Sequence, residues 1–183
     1  MEFVVRQYRA ADFDRLWQID QACFPPGIAY SQMELSGFIM RRNAISLVAE
    51  FANHRKEGPH IPPQDHKAPD GSHVKETDAS ESADPGVNPI VGFTVAQPYR
   101  KTGRIVTLDI IPRARRYGLG SRLMRECEGR LRQRGCTEVY LETAVDNEAA
   151  LKLYRKLGYE ILRTLPAYYH AHGLDALLMG KRL

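Results

Sequence analysis

The sequence predicts a single α/β domain in which a mixed, mainly antiparallel and twisted sheet carries helices on both faces. Two observations lead to this prediction. Short runs rich in β-branched residues, such as residues 105–110, alternate along the chain with segments whose apolar residues recur at helical spacing, such as residues 119–131. A chain of 183 residues is also long enough to bury one sizeable core.

The first part of the chain predicts a strand followed by two helices. Residues 2–8 read as the strand, and apolar residues then recur at helical spacing from Phe13 until Pro25, which cannot continue a helix. Ser31 and Glu34 have the spacing of a capping box, in which each residue bonds to the backbone of the other. A second helix is therefore expected to begin at Ser31.

Two antiparallel strands are expected at residues 44–51 and 90–97. The segment between them, residues 52–88, is rich in proline, glycine, serine and charged residues and has few large apolar ones. Because such a segment cannot offset the entropy cost of ordering, we expect a disordered or extended insertion, which serves as a docking arm or is merely a tolerated loop. Its four histidines share no ligand spacing, so no metal site is expected: His54, His60, His66 and His73.

A central strand at residues 104–111 leads into a basic, glycine-containing turn and a helix. Pro112 ends the strand, since proline cannot donate to a sheet ladder. Gly118 and Gly120 allow the backbone to approach a ligand closely, and the free N–H groups at the start of the helix favour phosphate. The spacing matches neither common nucleotide fingerprint. A basic turn with two structural glycines is the alternative interpretation.

The next strand, residues 138–143, carries a carboxylate towards the end of the sheet where open α/β sheets bind ligands. This residue is Glu142, and the alternative is an exposed carboxylate paired with an arginine. The following helix is capped by Asp146 or Asn147. Its apolar stripe includes Tyr154, for which a packed tyrosine bonded to the backbone is the alternative.

The chain is expected to end with two paired strands, residues 159–165 and 176–182. The loop between them contains Tyr168 and Tyr169. Its histidines are expected to be exposed rather than catalytic: His170 and His172.

Charge and cysteine content restrict the class of protein. The formal net charge is +4, and its concentration in the glycine turn and the helix after it suits a phosphorylated ligand. No stacking aromatic residues or nucleic-acid motif accompany it, so no nucleic acid partner is expected. The three cysteines lack paired spacing, which favours a reducing compartment. With no membrane span and no signal peptide in the sequence, we expect a cytoplasmic protein without a membrane partner.

Two stretches resemble the motifs of a known family, the GNAT acetyltransferases. Residues 112–120, Pro-x-x-Arg-x-x-Gly-x-Gly, resemble the motif that holds the pyrophosphate of acetyl-coenzyme A, and residues 147–159 resemble the signature N-x-x-A-x-x-x-Y-x-x-x-G-[FY]. The resemblance implies a GNAT-like fold whose central parallel strands splay open to admit the coenzyme. The side chains of Leu108 and Ile110 are expected in the core. The coenzyme-binding residues implied are Leu108, Asp109, Ile110, Arg115, Arg116, Tyr117, Gly118, Leu119, Gly120, Ser121 and Asn147.

A further likeness narrows the subfamily. Residues 22–25, Ala-Cys-Phe-Pro, and the Tyr-Tyr pair followed by Asp-Ala-Leu-Leu-Met resemble the ribosomal-protein-alanine and related Nα-acetyltransferases. The resemblance implies acetyl transfer from acetyl-coenzyme A to a protein N-terminal α-amine by direct attack in a ternary complex. It assigns Glu142 as proton acceptor and Tyr154 as proton donor to the departing thiolate. The acceptor-binding residues implied are Phe24, Pro25, Tyr30, Tyr168 and Tyr169.

Two other functions remain open from the sequence. One is acetylation of a small-molecule amine or a lysine side chain. The other is an acyl-coenzyme A-binding interaction module without catalysis. Acyl-chain preference and oligomeric state do not follow from the sequence.

Overall fold

The computed structural model describes residues 2–52 and 89–183. The strands of this part of the chain are β1 Phe3–Gln7, β2 Ile45–Phe51, β3 Ile90–Tyr99, β4 Thr102–Ile110, β5 Glu138–Ala144, β6 Glu160–Tyr169 and β7 Leu174–Arg182. The α-helices are α1 Phe13–Cys23, α2 Gln32–Ile39, α3 Leu119–Gln133 and α4 Glu148–Lys156. The insertion expected at residues 52–88, including its four histidines, lies outside the described residues apart from Ala52.

One sheet organises the described residues, with the strand order β1-β2-β3-β4-β5-β7-β6. Every neighbouring pair is antiparallel except β4 and β5, which run parallel. The predicted mixed, mainly antiparallel sheet is therefore confirmed.

Helices cover both faces of the first half of this sheet. Gln97 on β3 donates to the carbonyl of Phe38 in α2, with an N–O distance of 3.3 Å. Gln97 is paired with Arg104 on β4, so the preceding residue Gly103 faces the opposite side. A Cβ added to Gly103 would lie 2.6 Å from Leu131 of α3. The α2 and α3 helices thus pack on opposite faces, as predicted.

Local signals in the sequence set the helix boundaries. Ser31 caps α2 through a bond from the Glu34 N–H to its Oγ at 3.3 Å, and Glu34 Oε2 accepts the Ser31 N–H at 2.9 Å. The predicted capping box is confirmed. Asn147, the second of the two cap candidates, accepts the Ala150 N–H at 3.2 Å and caps α4.

No helix within residues 2–52 and 89–183 combines the length and apolar composition needed to cross a membrane.

The parallel strands β4 and β5 diverge after a short common ladder. Their pairing runs only from Thr102 with Glu138 to Ile105 with Leu141. Beyond that point β4 continues beside β3, and β5 continues beside β7. An open gap therefore separates the later residues of β4 from the end of β5, as the family resemblance implied.

The last strand pair differs from the sequence prediction. We expected β6 to end near residue 165, but it continues to Tyr169 across an irregularity in its register. Proline is tolerated at position 166 because β6 is an edge strand, where a missing donor need not break a ladder bond. The Ala167 N–H is bonded instead to Asp175 Oδ1 at 2.7 Å. The predicted long loop is thus reduced to a short turn at residues 170–173.

Candidate active site

The turn between β4 and α3 has the geometry of an anion-binding site. Arg116 and Gly118 both have left-handed backbone conformations, with φ of +70° and +78°, which helps several N–H groups to converge. Gly118 caps α3 without a side-chain bond, and no acidic residue lies in the first turn. The first helical bond runs from the Arg122 N–H to the Gly118 carbonyl at 3.1 Å. The N–H groups of residues 119–121 therefore lack helical acceptors and suit a phosphate.

The side chains of this turn divide into two groups. Arg115 points back to the sheet, where its Nε donates to the Ile110 carbonyl at 2.8 Å. Its guanidinium also approaches Cys23 Sγ, at 3.8 Å. The side chains of Arg116 and Tyr117 are exposed. The Arg115 side chain thus fixes the turn against β4, and Arg116 presents an exposed positive charge beside it.

The two glycines of the motif differ in their surroundings. A Cβ added to Gly118 would meet no atom within 4 Å, whereas one added to Gly120 would lie 3.0 Å from Leu153 Cδ2 and 3.4 Å from Ile110 Cδ1. Gly120 is also buried. The missing side chain of Gly120 therefore allows α3 to close on β4 and α4, and the close approach of a ligand to Gly120 stays a prediction. Its backbone N–H still belongs to the first turn of α3.

The gap between β4 and β5 exposes backbone groups of β4. The Ile111 N–H donates to the Val91 carbonyl on β3 at 3.0 Å. Because bonding alternates along an antiparallel ladder, the N–H groups of Leu108 and Ile110 point away from β3 and towards the gap. Their side chains are only partly buried, contrary to our expectation of core positions, since they border this opening. Asp109 between them is buried on the other face.

Glu142 lies at the mouth of the gap, one residue beyond the last β5 residue that is paired with β4. Its Oε2 accepts a bond from Arg104 Nε at 3.0 Å, and its side chain is 18% exposed. A second nitrogen of Arg104 donates to the Tyr168 hydroxyl at 3.3 Å. The arginine pairing that we considered as an alternative thus exists, and it orients the carboxylate beside a predicted acceptor-binding tyrosine.

Tyr154 is buried on α4, and its ring centroid lies 5.8 Å from that of Tyr159. Burial raises the pKa of Tyr154 well above its usual value, and the charge of Asp109 raises it further. Within residues 2–52 and 89–183 the Tyr154 hydroxyl makes no hydrogen bond. The alternative of a packed tyrosine bonded to the backbone is therefore not what the described residues show.

The two segments expected to bind the acceptor touch each other. His172 Nε2 lies 2.7 Å from the carbonyl oxygen of Pro26. A Cβ added to Gly27 would lie 2.5 Å from the Cβ of Ala171, so the two backbones meet closely there. Sequence reasoning missed this contact because it joins residues far apart in the chain, although His172 is exposed as expected. The Pro-Pro-Gly turn was the only local signal of a constrained backbone.

Tyr30 connects the loop after α1 to β4. Its N–H donates to Asp20 Oδ2 at 2.8 Å, and its hydroxyl donates to the Val106 carbonyl at 3.4 Å. Its ring packs edge-on against Phe38 of α2, with centroids 5.1 Å apart. Phe24 ends α1 and is half-buried. Tyr30 and Phe24 therefore belong to one wall beside the gap.

The Pro25 carbonyl accepts the N–H groups of Ile28 and Ala29, both at 3.0 Å, and so closes the turn of this wall. On the opposite wall Tyr168 and Tyr169 stack edge to face, with centroids 5.1 Å apart. Burial is the main cause that raises the pKa of Tyr169 to about 12. Both hydroxyls therefore remain protonated at neutral pH.

The cysteines have little nucleophilic character. Burial raises the pKa of Cys127 to about 12 and also raises the pKa of Cys136 and Cys23. Thiols with raised pKa values are poor nucleophiles at neutral pH. Among the described residues no group of His, Cys, Asp or Glu side chains is arranged to hold a metal ion.

The model of the acetyltransferase (GNAT) family matches residues 13–159. The N-alpha-acetyltransferase of Sulfurisphaera tokodaii is 37% identical over 84 residues, which are 45% of this chain and 50% of that protein. N-alpha-acetyltransferase 30 of Homo sapiens is 38% identical over 77 residues, which are 42% of this chain and 21% of that protein. The chain thus spans half or less of the length of these curated relatives.

Solved structures share the fold at low sequence identity. The ribosomal-protein-S18-alanine N-acetyltransferase of Escherichia coli aligns with a TM-score of 0.72 and 16% identity, over 99% of this chain and 94% of that chain. Ard1 of Thermoplasma volcanium aligns with a TM-score of 0.71 and 22% identity, over 100% of this chain and 99% of that chain. Because the family model covers most of the sequence and the fold agrees with it, the chain belongs to the acetyltransferase (GNAT) family.

Proposed function

We propose that the protein transfers the acetyl group of acetyl-coenzyme A directly to the N-terminal α-amine of a protein. The observation that carries this proposal is the gap between β4 and β5, which has backbone donors on one side and Glu142 on the other. Tyr154, whose hydroxyl makes no hydrogen bond to the described residues, completes the set of groups that the reaction needs.

The start of α3 supports the coenzyme half of the proposal. Its uncapped N–H groups and the absence of an acidic residue favour the pyrophosphate. From there the pantetheine would follow the open edge of β4 and bring the thioester to the gap. The Ile110 N–H would polarise the thioester carbonyl, since it points towards the gap. A structure of Arabidopsis thaliana NAA60 in complex with acetyl-coenzyme A has the same fold, with a TM-score of 0.72 and 18% identity over all of both chains.

The chemistry requires one base and one proton donor. An α-amine with a reference pKa of about 7.7–8.0 is mostly protonated at neutral pH, so a modest base is sufficient. Glu142 takes this proton directly or through water, while Arg104 holds its carboxylate in place. As the C–S bond breaks, Tyr154 donates a hydrogen bond and then its proton to the departing thiolate, and the resulting tyrosinate regains a proton from solvent before the next turnover. Its raised pKa keeps the hydroxyl protonated until that step.

The contact between the two acceptor walls supports a chain terminus as the acceptor. Pro26 and Gly27 meet Ala171 and His172 directly, so the groove between the walls is bridged on one side. A flexible chain end enters such a bridged groove more readily than a residue in the middle of a folded surface does. The S. tokodaii relative is an N-alpha-acetyltransferase, which supports an N-terminal α-amine as the acceptor.

The experiment is a panel of short peptides assayed for turnover of acetyl-coenzyme A. The panel contains peptides with varied free N-termini, the same sequences with blocked N-termini and an internal lysine, and simple polyamines. We expect turnover on free N-termini that disappears on blocking. Turnover confined to lysine peptides or polyamines would contradict the proposed acceptor, and coenzyme binding without any turnover would favour an interaction module.

A further inference from the structure

Arg104 lies beside Glu142 at the mouth of the gap, and most of its hydrogen-bond donors are unused. Arg104 is paired with Gln97 of β3, whose side chain bonds to α2. Because residues directly opposite each other on paired strands share a face, the Arg104 side chain extends from the face that carries α2, not from the face that carries α3. The side chain is 42% exposed. Its guanidinium is therefore accessible to a molecule that enters beside Glu142.

A guanidinium has five N–H donors, and the described residues occupy two of them. Arg104 Nε donates to Glu142 Oε2 at 3.0 Å, and one terminal nitrogen donates to the Tyr168 hydroxyl at 3.3 Å. Arg104 makes no other hydrogen bond within residues 2–52 and 89–183. The outer edge of the guanidinium, formed by its two terminal nitrogens, thus keeps donors for a ligand.

The contacts of Glu142 determine where an acceptor amine can approach. Its Oε2 is held by Arg104, whereas its Oε1 makes no hydrogen bond to the described residues. A base must come within about 2.6–3.2 Å of the group whose proton it takes, so the α-amine is expected at Oε1. The amine and the guanidinium then contact opposite oxygens of one carboxylate. Because consecutive Cα atoms are about 3.8 Å apart, side chains of the first two acceptor residues can reach Arg104.

Proton transfer changes the charge balance at this point. Before the reaction, the charges of Arg104 and Glu142 compensate each other. When Glu142 takes the proton, an N–H bond of the amine breaks and an O–H bond of the carboxyl group forms, so Glu142 becomes neutral. The guanidinium keeps its charge, since arginine does not lose its proton in proteins. A carboxylate on the acceptor would supply the negative charge that Arg104 then lacks.

Tyr168 presents a second donor beside the guanidinium. Its hydroxyl oxygen accepts the bond from Arg104 and makes no other hydrogen bond to the described residues. Its own O–H therefore remains to be donated, and its side chain is partly exposed. An N–H edge with an adjacent O–H donor suits the two oxygens of a carboxylate.

We propose that Arg104 is a specificity-determining residue that binds an acidic side chain at the first or second position of the acceptor. The preferred substrates are then proteins with an acidic N-terminus. This inference rests on the proposed function, because the α-amine at Glu142 is what brings those side chains to Arg104. The outer edge of the guanidinium binds the acceptor carboxylate, while Nε stays on Glu142.

The first test measures binding without turnover, by titration of peptides into the protein saturated with coenzyme A. One peptide pair differs by Asp against Asn at position 1, and a second pair by Glu against Gln at position 2. We expect the acidic peptide of at least one pair to bind about tenfold more tightly, which corresponds to about 1.4 kcal/mol. Solvent around the half-exposed Arg104 keeps the effect this small. Equal affinities within both pairs would overturn the proposal.

A third pair, with Glu against Gln at position 6, controls for general attraction of acidic peptides to a chain with a net charge of +4. We expect no preference in this pair. An equal preference at all three positions would overturn the proposal, because it would show attraction that does not depend on the place of the carboxylate.

The second test repeats the titrations with Arg104→Gln. We expect the acidic preference to fall from about tenfold to about twofold or less, because glutamine has no charge and no fork of donors. The ratio compares two peptides on one variant, so a general loss of affinity or stability cancels. Preference that survives in Arg104→Gln would overturn the proposal.

Arg130→Gln is the matched control. Arg130 is also partly exposed and paired with a carboxylate, Glu126 at 3.2 Å, but it lies on α3 on the opposite face of the sheet. The substitution removes the same charge from the protein, and the acidic preference should keep its wild-type value. An equal loss of preference in both variants would overturn the proposal, since it would assign the preference to net charge.

Turnover of the same peptide pairs separates this inference from the proposed function. Acetylation of free N-termini with equal kcat/KM for acidic and neutral peptides would support the proposed function and overturn the role of Arg104. An acidic preference in binding that disappears in Arg104→Gln, without acetylation of any amine, would support the role of Arg104 and contradict the proposed function.

Discussion

Removal of the Tyr154 hydroxyl should lower turnover without loss of stability. In Tyr154→Phe no hydrogen bond to the described residues is lost, so the free energy of unfolding should change by less than about 0.5 kcal/mol. A positioned proton donor typically contributes about a hundredfold or more to rate, which corresponds to a barrier increase of about 2.7 kcal/mol. Coenzyme affinity should remain close to that of the wild type.

Tyr159→Phe is a matched control, because its ring contacts that of Tyr154 but its hydroxyl is used differently. The Tyr159 hydroxyl donates to the buried Glu128 Oε1 at 3.0 Å, and Glu128 also accepts from Lys181 at 2.8 Å. Loss of this bond to a charged group should cost about 1.5 kcal/mol and lower the unfolding midpoint by about 3–6 °C. Its turnover per folded molecule should remain near the wild-type value.

The assay combines initial rates at saturating peptide and coenzyme, coenzyme titration, and thermal unfolding for both variants. We expect opposite patterns: Tyr154→Phe should be as stable as the wild type but slow, and Tyr159→Phe should be active but less stable. Wild-type turnover in Tyr154→Phe would refute its role as proton donor. A large loss of stability in that variant would instead favour a structural hydroxyl.

Three further predictions concern the coenzyme turn, the acceptor walls and the segment between β2 and β3. Gly118→Asp should bind coenzyme at least about tenfold more weakly than Gly118→Asn. Both variants place a side chain on a left-handed backbone, but only aspartate adds a negative charge at the phosphate site. Equal coenzyme affinities of the two variants by titration would argue against this site. His172→Ala should raise the acceptor KM by about fivefold with an unchanged coenzyme KM, since it removes one bond between the walls, and an unaffected acceptor KM would show that the contact is dispensable. Replacement of residues 52–88 by a short glycine-containing turn should leave cooperative unfolding intact, because Glu50 and Ile90 are already paired neighbours; loss of the unfolding transition would contradict this.

Local signals account for the parts of the fold that the sequence predicted well. The capping box at Ser31, the cap at Asn147 and the alternation that buries Val139 and Leu141 while leaving Glu142 at the gap all depend on neighbouring residues. Such signals act within one turn or one strand, so they can be recognised without tertiary structure.

Contacts between distant segments could not be predicted in this way. Tyr30 is unremarkable in the sequence, and only the packing of the segment after α1 on β4 brings its hydroxyl to the Val106 carbonyl. The contact of His172 with Pro26 has the same character. The packing of Gly120 against Leu153 and Ile110 could not be predicted either, because a motif specifies the residue but not the direction in which its missing side chain would point.

The most direct test of the central claim locates the acetyl group on a single peptide that offers both a free N-terminal α-amine and an internal lysine. The protein is incubated with acetyl-coenzyme A and this peptide, and fragment masses identify the modified amine. The account predicts acetyl on the α-amine alone, with the product greatly reduced in Glu142→Gln. Acetyl on the lysine, or product formation that does not depend on Glu142, would contradict it.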